Sequence, residues 1–195
     1  MIVIITPEKQ VHKETEIINE LFREGLDLLH IRKPFINSEE MTEFIKKINP
    51  EFHHQLVLHS HHHLAEDFDI SRLHFREIDR RNDLHQSFKD KIISTSVHDI
   101  ETFNELGNEW EYAFVSPVFP SISKKGYGEN SIILNDIIRR ENSKVKLIAL
   151  GGINENNILE VFSNDIDGVA LLGAIWENNK PIQIFKKCRQ NALSQ

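Results

Sequence analysis

A single cysteine, Cys188, stands among 195 residues, so no disulfide can form within the chain. A reducing cytoplasm is therefore the expected compartment. Long apolar runs are missing too: the opening stretch, residues 1–6, is short and ends at Pro7. Neither a signal peptide nor a membrane span is expected. Basic residues are in deficit, with 23 Lys and Arg against 30 Asp and Glu, for a formal net charge of −7. That balance argues against general binding to nucleic acid or anionic membrane, so any anionic ligand must be held by a local positive site. There is no linker, low-complexity tract or sustained repeat, and 195 residues supply one sizeable core but not two. Residues 1–195 are read as one domain.

What is present is a regular alternation of short apolar strands with amphipathic helices. Residues 2–6 read as a first strand, and residues 14–23 as a helix with Ile17, Ile18, Leu21 and Phe22 on one face, stopped by Gly25. Residues 26–31 form the second strand; Asn37 and Glu40 can cap a helix whose Met41, Phe44, Ile45 and Ile48 repeat at helical spacing up to Pro50. Residues 55–59, 72–75, 91–96 and 111–116 read as strands three to six. A short polar helix follows strand three, and Asp99 caps a helix after strand five that Gly107 ends. After strand six come a polar loop at 117–130 and a helix at 132–139. Two apolar runs that break at glycine, residues 145–152 and 167–175, are strands seven and eight. Pro181 opens a last helix with Ile182, Phe185 and Cys188 inward. Eight strands alternating with helices imply a parallel α/β sheet with right-handed crossovers. A closed (β/α)8 TIM barrel fits the polar strand ends; strand count alone leaves a doubly wound open sheet as its rival.

In a barrel those polar ends converge on one mouth. They comprise His30 and Arg32 after strand two, Ser60 after strand three, Asp79 after strand four, and Ser96 and His98 after strand five. Ser121, Ser123, Lys124 and Lys125 follow strand six. The glycine breaks after strands seven and eight expose backbone N–H groups suited to a phosphate. Chemistry that moves a diphosphate needs such a set: cations neutralise the oxyanion, hydroxyls orient it and a carboxylate can anchor a metal.

The loop from Ser116 to Lys124, Ser-Pro-Val-Phe-Pro-Ser-Ile-Ser-Lys, resembles the G-P-V-[FY]-P-T-x-T-K signature of thiamine-phosphate synthases. LHIRK (29–33), STSVHD (94–99), LIALGGIN (147–154) and DGVALLGAI (167–175) fall in that family's order and spacing. The chain is identified as a member of the superfamily of thiamine-phosphate synthases and TenI-like thiazole tautomerases. The resemblance implies a (β/α)8 barrel acting on small phosphate and diphosphate substrates, and a homodimer. In the synthase reaction an aminopyrimidine-methyl diphosphate ionises, and the nitrogen of a thiazole phosphate captures the cation. Carried over by position, Arg32, Ser96 and Lys124 would hold the departing diphosphate with Mg2+. Asp79 matches one magnesium-binding aspartate. Ser121 and Ser123 stand where the family has threonines. Gly151, Gly152 and the backbone around Leu172 and Gly173 would take the thiazole phosphate. His30 is the histidine best placed for a ligand contact, and Lys33 stands in for a family lysine replaced here by Pro34.

Other positions depart from the pattern. An Asn-Asp pair after strand three reads His59-Ser60, which removes a second magnesium-binding carboxylate, and the tautomerase's catalytic histidine falls at Pro117. Three readings follow: a synthase-type transferase, a thiazole tautomerase, and a barrel that binds thiazole phosphate without turnover. The histidines at 53, 54, 59, 61, 62 and 63 invite a metal reading. Neighbouring imidazoles on a short helix splay apart, so adventitious nickel binding is the expectation there. His74 and His98 read as barrel-lining or hydrogen-bonded structural residues, and Trp110 and Trp176 as packing.

Overall fold

The computed structural model describes residues 1–123 and 126–193. Eight parallel strands close on themselves: β1 (Ile2–Ile5), β2 (Leu28–Ile31), β3 (Leu56–Leu58), β4 (Arg72–Phe75), β5 (Ile92–Val97), β6 (Trp110–Val115), β7 (Lys146–Leu150) and β8 (Gly168–Leu171). Strand β1 pairs with β2 through Val3 opposite Leu28 and with β8 through Val3 opposite Ala170. That closure decides for the barrel over the open sheet.

The helices are α1 (Glu14–Arg23), α2 (Ser38–Lys46), α3 (Glu77–Arg81), α4 (Ile100–Asn104), α5 (Ile133–Asp136), α6 (Ile158–Phe162), α7 (Gly173–Trp176) and α8 (Pro181–Leu193). Between β3 and β4 the crossover shrinks to a 3-10 turn at His62–Ala65. The helix expected at 132–139 divides into α5 and a 3-10 turn at Ile137–Arg139. No helix among the described residues is long and apolar enough to cross a membrane.

Local chemistry accounts for the helix starts. Asn37 Oδ1 accepts from the Glu40 N–H at 2.9 Å, while the Glu40 carboxylate accepts from the Asn37 N–H at 2.9 Å, a reciprocal cap for α2. Asp99 Oδ1 accepts from the Thr102 N–H at 2.6 Å and caps α4.

Alternation along each strand produces two cores. Ile4, Leu29, Ile31, Leu56, Leu58, Ala113 and Leu147 face outward into the layer beneath the helices, where Ile18, Leu21, Ile45, Phe103 and Phe185 meet them. Val3, Ile5, Leu28, Val57, Tyr112, Phe114, Ile148 and Ala170 fill the barrel's interior. The interior is not uniformly apolar. On the β2–β5 side it holds His30, His74 and Ser94, all buried. A register shift between Ile93 and Ser94 keeps β5 in step with β6.

Candidate active site

The C-terminal rim of the strands encloses a cavity of about 440 Å3. Its lining includes Arg32, Ser96, Ser121, Ser123, Gly151, Gly152, Leu172 and Gly173, so eight of the residues expected at the site share one space. His30, Lys33 and Asp79 are not among the lining residues. Lys124 is outside the described residues. His30 lies beneath the cavity floor, wholly buried, with Nδ1 2.7 Å from His59 Nε2 and Nε2 2.7 Å from the Tyr112 hydroxyl.

Lys33 turns away from the mouth. Its side chain is 1% exposed and its ammonium lies 2.7 Å from Glu14 Oε1. It also donates to Glu14 Oε2 at 2.8 Å and to the Pro7 carbonyl at 2.7 Å. Burial pushes the Lys33 pKa down and the Glu14 pKa up, while each charge supports the other. The residue expected to replace a substrate-binding lysine thus clamps the segment between β1 and α1.

Asp79 is likewise committed. Its Oδ2 accepts from Arg76 Nε at 2.8 Å and from the Arg76 N–H at 3.2 Å, and its Oδ1 accepts from Arg76 Nη2 at 3.0 Å. The Arg76 hydrogen bonds hold its carboxyl below the usual carboxylate range. Ser60, at the other expected metal position, has its hydroxyl 3.0 Å from His61 Nδ1. A carboxylate already neutralised by a guanidinium, with a serine at the second expected position, does not fit the hard oxygen cage that Mg2+ takes.

The rim glycines have a local reason. Gly151 and Gly152 adopt φ of +110° and +66°. A Cβ on Gly151 would lie 2.9 Å from Pro117 Cα, one on Gly152 would run into the Pro120 carbonyl, and one on Gly173 would lie 2.8 Å from Ile122 Cβ. The loop after β6 therefore rests on the ends of β7 and β8, tied by the Val118 N–H to the Leu150 carbonyl at 3.0 Å and the Phe119 N–H to the Gly151 carbonyl at 3.1 Å. No described residue accepts from the N–H groups of Gly152 and Ile153, which line the cavity. They remain available to an anion.

Sequence reasoning passed over several lining residues: Arg76, Glu77, His59 and Tyr127, with His74 and His98 read as structural. Arg76 adds a second guanidinium to that of Arg32, which pairs with Glu8 at 2.6 Å. His74 Nδ1 is 2.9 Å from Ser94 Oγ and Nε2 is 3.0 Å from Ser96 Oγ. Burial pushes the pKa of His30 and His59 well below the usual histidine range and that of His74 down to about 3. All three imidazoles are neutral at pH 7. A signal was available: His30-Ile31-Arg32 on β2 recurs as His74-Phe75-Arg76 on β4. Two-residue spacing sets the histidine in the interior and the arginine at the mouth.

A closed parallel barrel whose C-terminal mouth is lined by guanidiniums, hydroxyls and glycine loops is a (β/α)8 barrel with its cavity at the strand ends. Comparison with known proteins narrows this class. A model of the family described as thiamine monophosphate synthase matches residues 2–175, and the chain belongs to that family. The thiamine-phosphate synthase of Clostridium tetani is 27% identical over 167 residues, covering 82% of this chain and 79% of the relative. That of Oceanobacillus iheyensis is 26% identical over 185 residues, covering 88% of each. The crystal structure of thiamine phosphate pyrophosphorylase from Bacteroides thetaiotaomicron superposes with a TM-score of 0.84 at 26% identity, covering 100% of this chain and 98% of that one.

Proposed function

We propose that the chain is a thiamine-phosphate-synthase-type transferase. The supporting observation is one cavity with two anion-holding ends: Arg32, Arg76 and Ser96 line it after β2, β4 and β5, and the N–H groups of Gly152 and Ile153 line it after β7, where the loop of Ser121 and Ser123 also rests. The first end suits a diphosphate leaving group and the second a thiazole phosphate, with Leu172 and Gly173 beside it. The aminopyrimidine's methylene carbon–oxygen bond breaks, and diphosphate departs with the electron pair. The thiazole nitrogen then donates its lone pair to the methylene cation and the carbon–nitrogen bond forms. Arg32 and Arg76 offset charge developing on the departing oxygen, where preorganised donors contribute most. Phe114, Leu150 and Ala170 line the cavity between the two ends and keep water from the cation. Lys124, by family position, would complete the diphosphate end.

Equal amounts of thiamin phosphate and inorganic diphosphate from the two substrates would support this reading. Binding of both substrates with no new carbon–nitrogen bond would overturn it. The imidazoles of His59 and His74 on the cavity wall favour a second reading, a thiazole tautomerase, because proton transfer needs a side chain with a titratable atom and Pro117 supplies none. Exchange of a thiazole ring proton with deuterated solvent, without diphosphate release, would select it.

A further inference from the structure

Three imidazoles from three adjacent strands meet on the polar side of the barrel interior. His30 on β2, His59 just past β3 and His74 on β4 each offer a ring nitrogen, and these nitrogens all lie within 4.8 Å of one another. From their arrangement we infer that His30, His59 and His74 form a binding site for a divalent transition metal such as Zn2+.

The ring positions suit a shared ion. Two imidazoles on one tetrahedral metal, with bonds of about 2 Å, keep their ring centres about 5 Å apart. The centroids of His30 and His59 are 5.0 Å apart at 79°, and those of His30 and His74 are 5.3 Å apart at 70°. His59 and His74 are closer, at 4.1 Å and 22°, so a metal would part them by about 1 Å. It would also replace the hydrogen bonds of His30 Nδ1 with His59 Nε2 and of His74 Nε2 with Ser96 Oγ.

The outer nitrogens carry the partners that orient metal-bound imidazoles. His30 Nε2 meets the buried Tyr112 hydroxyl at 2.7 Å, and His74 Nδ1 meets the buried Ser94 hydroxyl at 2.9 Å. Fixing these outer atoms leaves His30 Nδ1 and His74 Nε2 as the ligating ones. The histidines are already neutral, so no proton need be displaced at neutral pH. The nearby guanidiniums do not stand uncompensated: Arg72 pairs with Glu111, and Arg32 with Glu8. An all-nitrogen donor set selects Zn2+, Co2+, Ni2+ or Cu2+ over Mg2+. Three protein ligands leave the fourth position toward the cavity that His59 and His74 line, the pattern of an open rather than a closed site.

The test uses Co2+ as probe, added to full-length protein freed of metal by chelator. We expect the intense visible bands of four-coordinate Co2+ to saturate at one equivalent and Zn2+ to abolish them. His74→Gln should weaken affinity about 100-fold, and Tyr112→Phe about 10-fold by releasing the outer nitrogen of His30. Circular dichroism verifies that each variant is folded. The Tyr112→Phe variant keeps all three imidazoles and carries the test where His74→Gln does not fold. A variant with His61→Ala and His63→Ala should bind as the parent does. Absence of the bands at one equivalent would overturn the inference and leave a hydrogen-bonded imidazole network. Bands lost with His61 and His63, yet unchanged in Tyr112→Phe, would overturn it in favour of adventitious surface binding.

Discussion

Replacing Lys33 by methionine should cost more stability than any surface substitution, although the site chemistry does not use Lys33. Methionine keeps most of the side-chain volume but removes the ammonium that sits 2.7 Å from Glu14 Oε1. Glu14 would keep one donor, the Val11 N–H at 3.1 Å, for a carboxylate that is itself buried. Stranding a buried charge in this way costs about 3–5 kcal/mol, against a total of about 5–15 kcal/mol for a domain. The companion losses are smaller. The carbonyls of Pro7 and Lys9 lose the same donor but belong to residues that reach the surface, where water can replace it. Removing both charges, as Glu14→Leu with Lys33→Met, should therefore recover most of the loss and leave the protein within about 2 kcal/mol of the parent. Urea unfolding at neutral pH, followed by circular dichroism on the two single variants and the double, measures these values and their coupling. A loss below about 1 kcal/mol in Lys33→Met, or a double variant no better than the single, would refute the buried-pair account.

Arg32→Ala should lower synthase turnover by about 10²–10³-fold with little change in the unfolding midpoint, since its partner Glu8 is itself partly exposed; steady-state kinetics checks both halves. Gly152→Ala sets a Cβ against the Pro120 carbonyl at a positive φ, so a loss of about 1–3 kcal/mol and displaced resonances across the loop after β6 are expected; NMR and urea titration read these. Asp79 has its carboxyl lowered chiefly by the Arg76 hydrogen bonds, so its contribution is present above the unfolded carboxyl's pKa, about 4, and fades as pH falls through the lower folded value. Arg76 is largely exposed, which limits the pair to under about 1 kcal/mol, and Arg76→Ala should flatten acid unfolding curves by no more than that.

The barrel was legible because each strand is apolar before its rim and each helix carries a periodic face. The cap at Asn37 and Glu40 and the strand at residues 72–75 stand where the residues put them. The helix at 132–139 was overdrawn because Ile132 and Ile138 are exposed and anchor nothing. The mouth was legible wherever one residue sufficed, as with Arg32, Ser96 and the glycines. It failed where a distant partner decides a side chain's direction. Nothing near Lys33 reveals that Glu14, at the start of α1, will capture it, and the intact run His-Ile-Arg-Lys suggests a cation at the mouth instead. Asp79 has the right position after β4, but Arg76 stands three residues before it and takes the carboxylate. The histidines misled by adjacency. The run from His53 to His63 contributes only His59 to the interior cluster, whose other members arrive on neighbouring strands.

The most direct test of the central claim is turnover by the purified protein of aminopyrimidine-methyl diphosphate and thiazole phosphate, with Mg2+ supplied alongside the diphosphate. Thiamin phosphate is read by the fluorescence of its oxidised form. The account predicts product in many-fold excess over enzyme and its loss in Arg32→Ala. No product, while calorimetry still registers thiazole phosphate binding, would contradict the transferase reading and leave the phosphate site in service of another reaction.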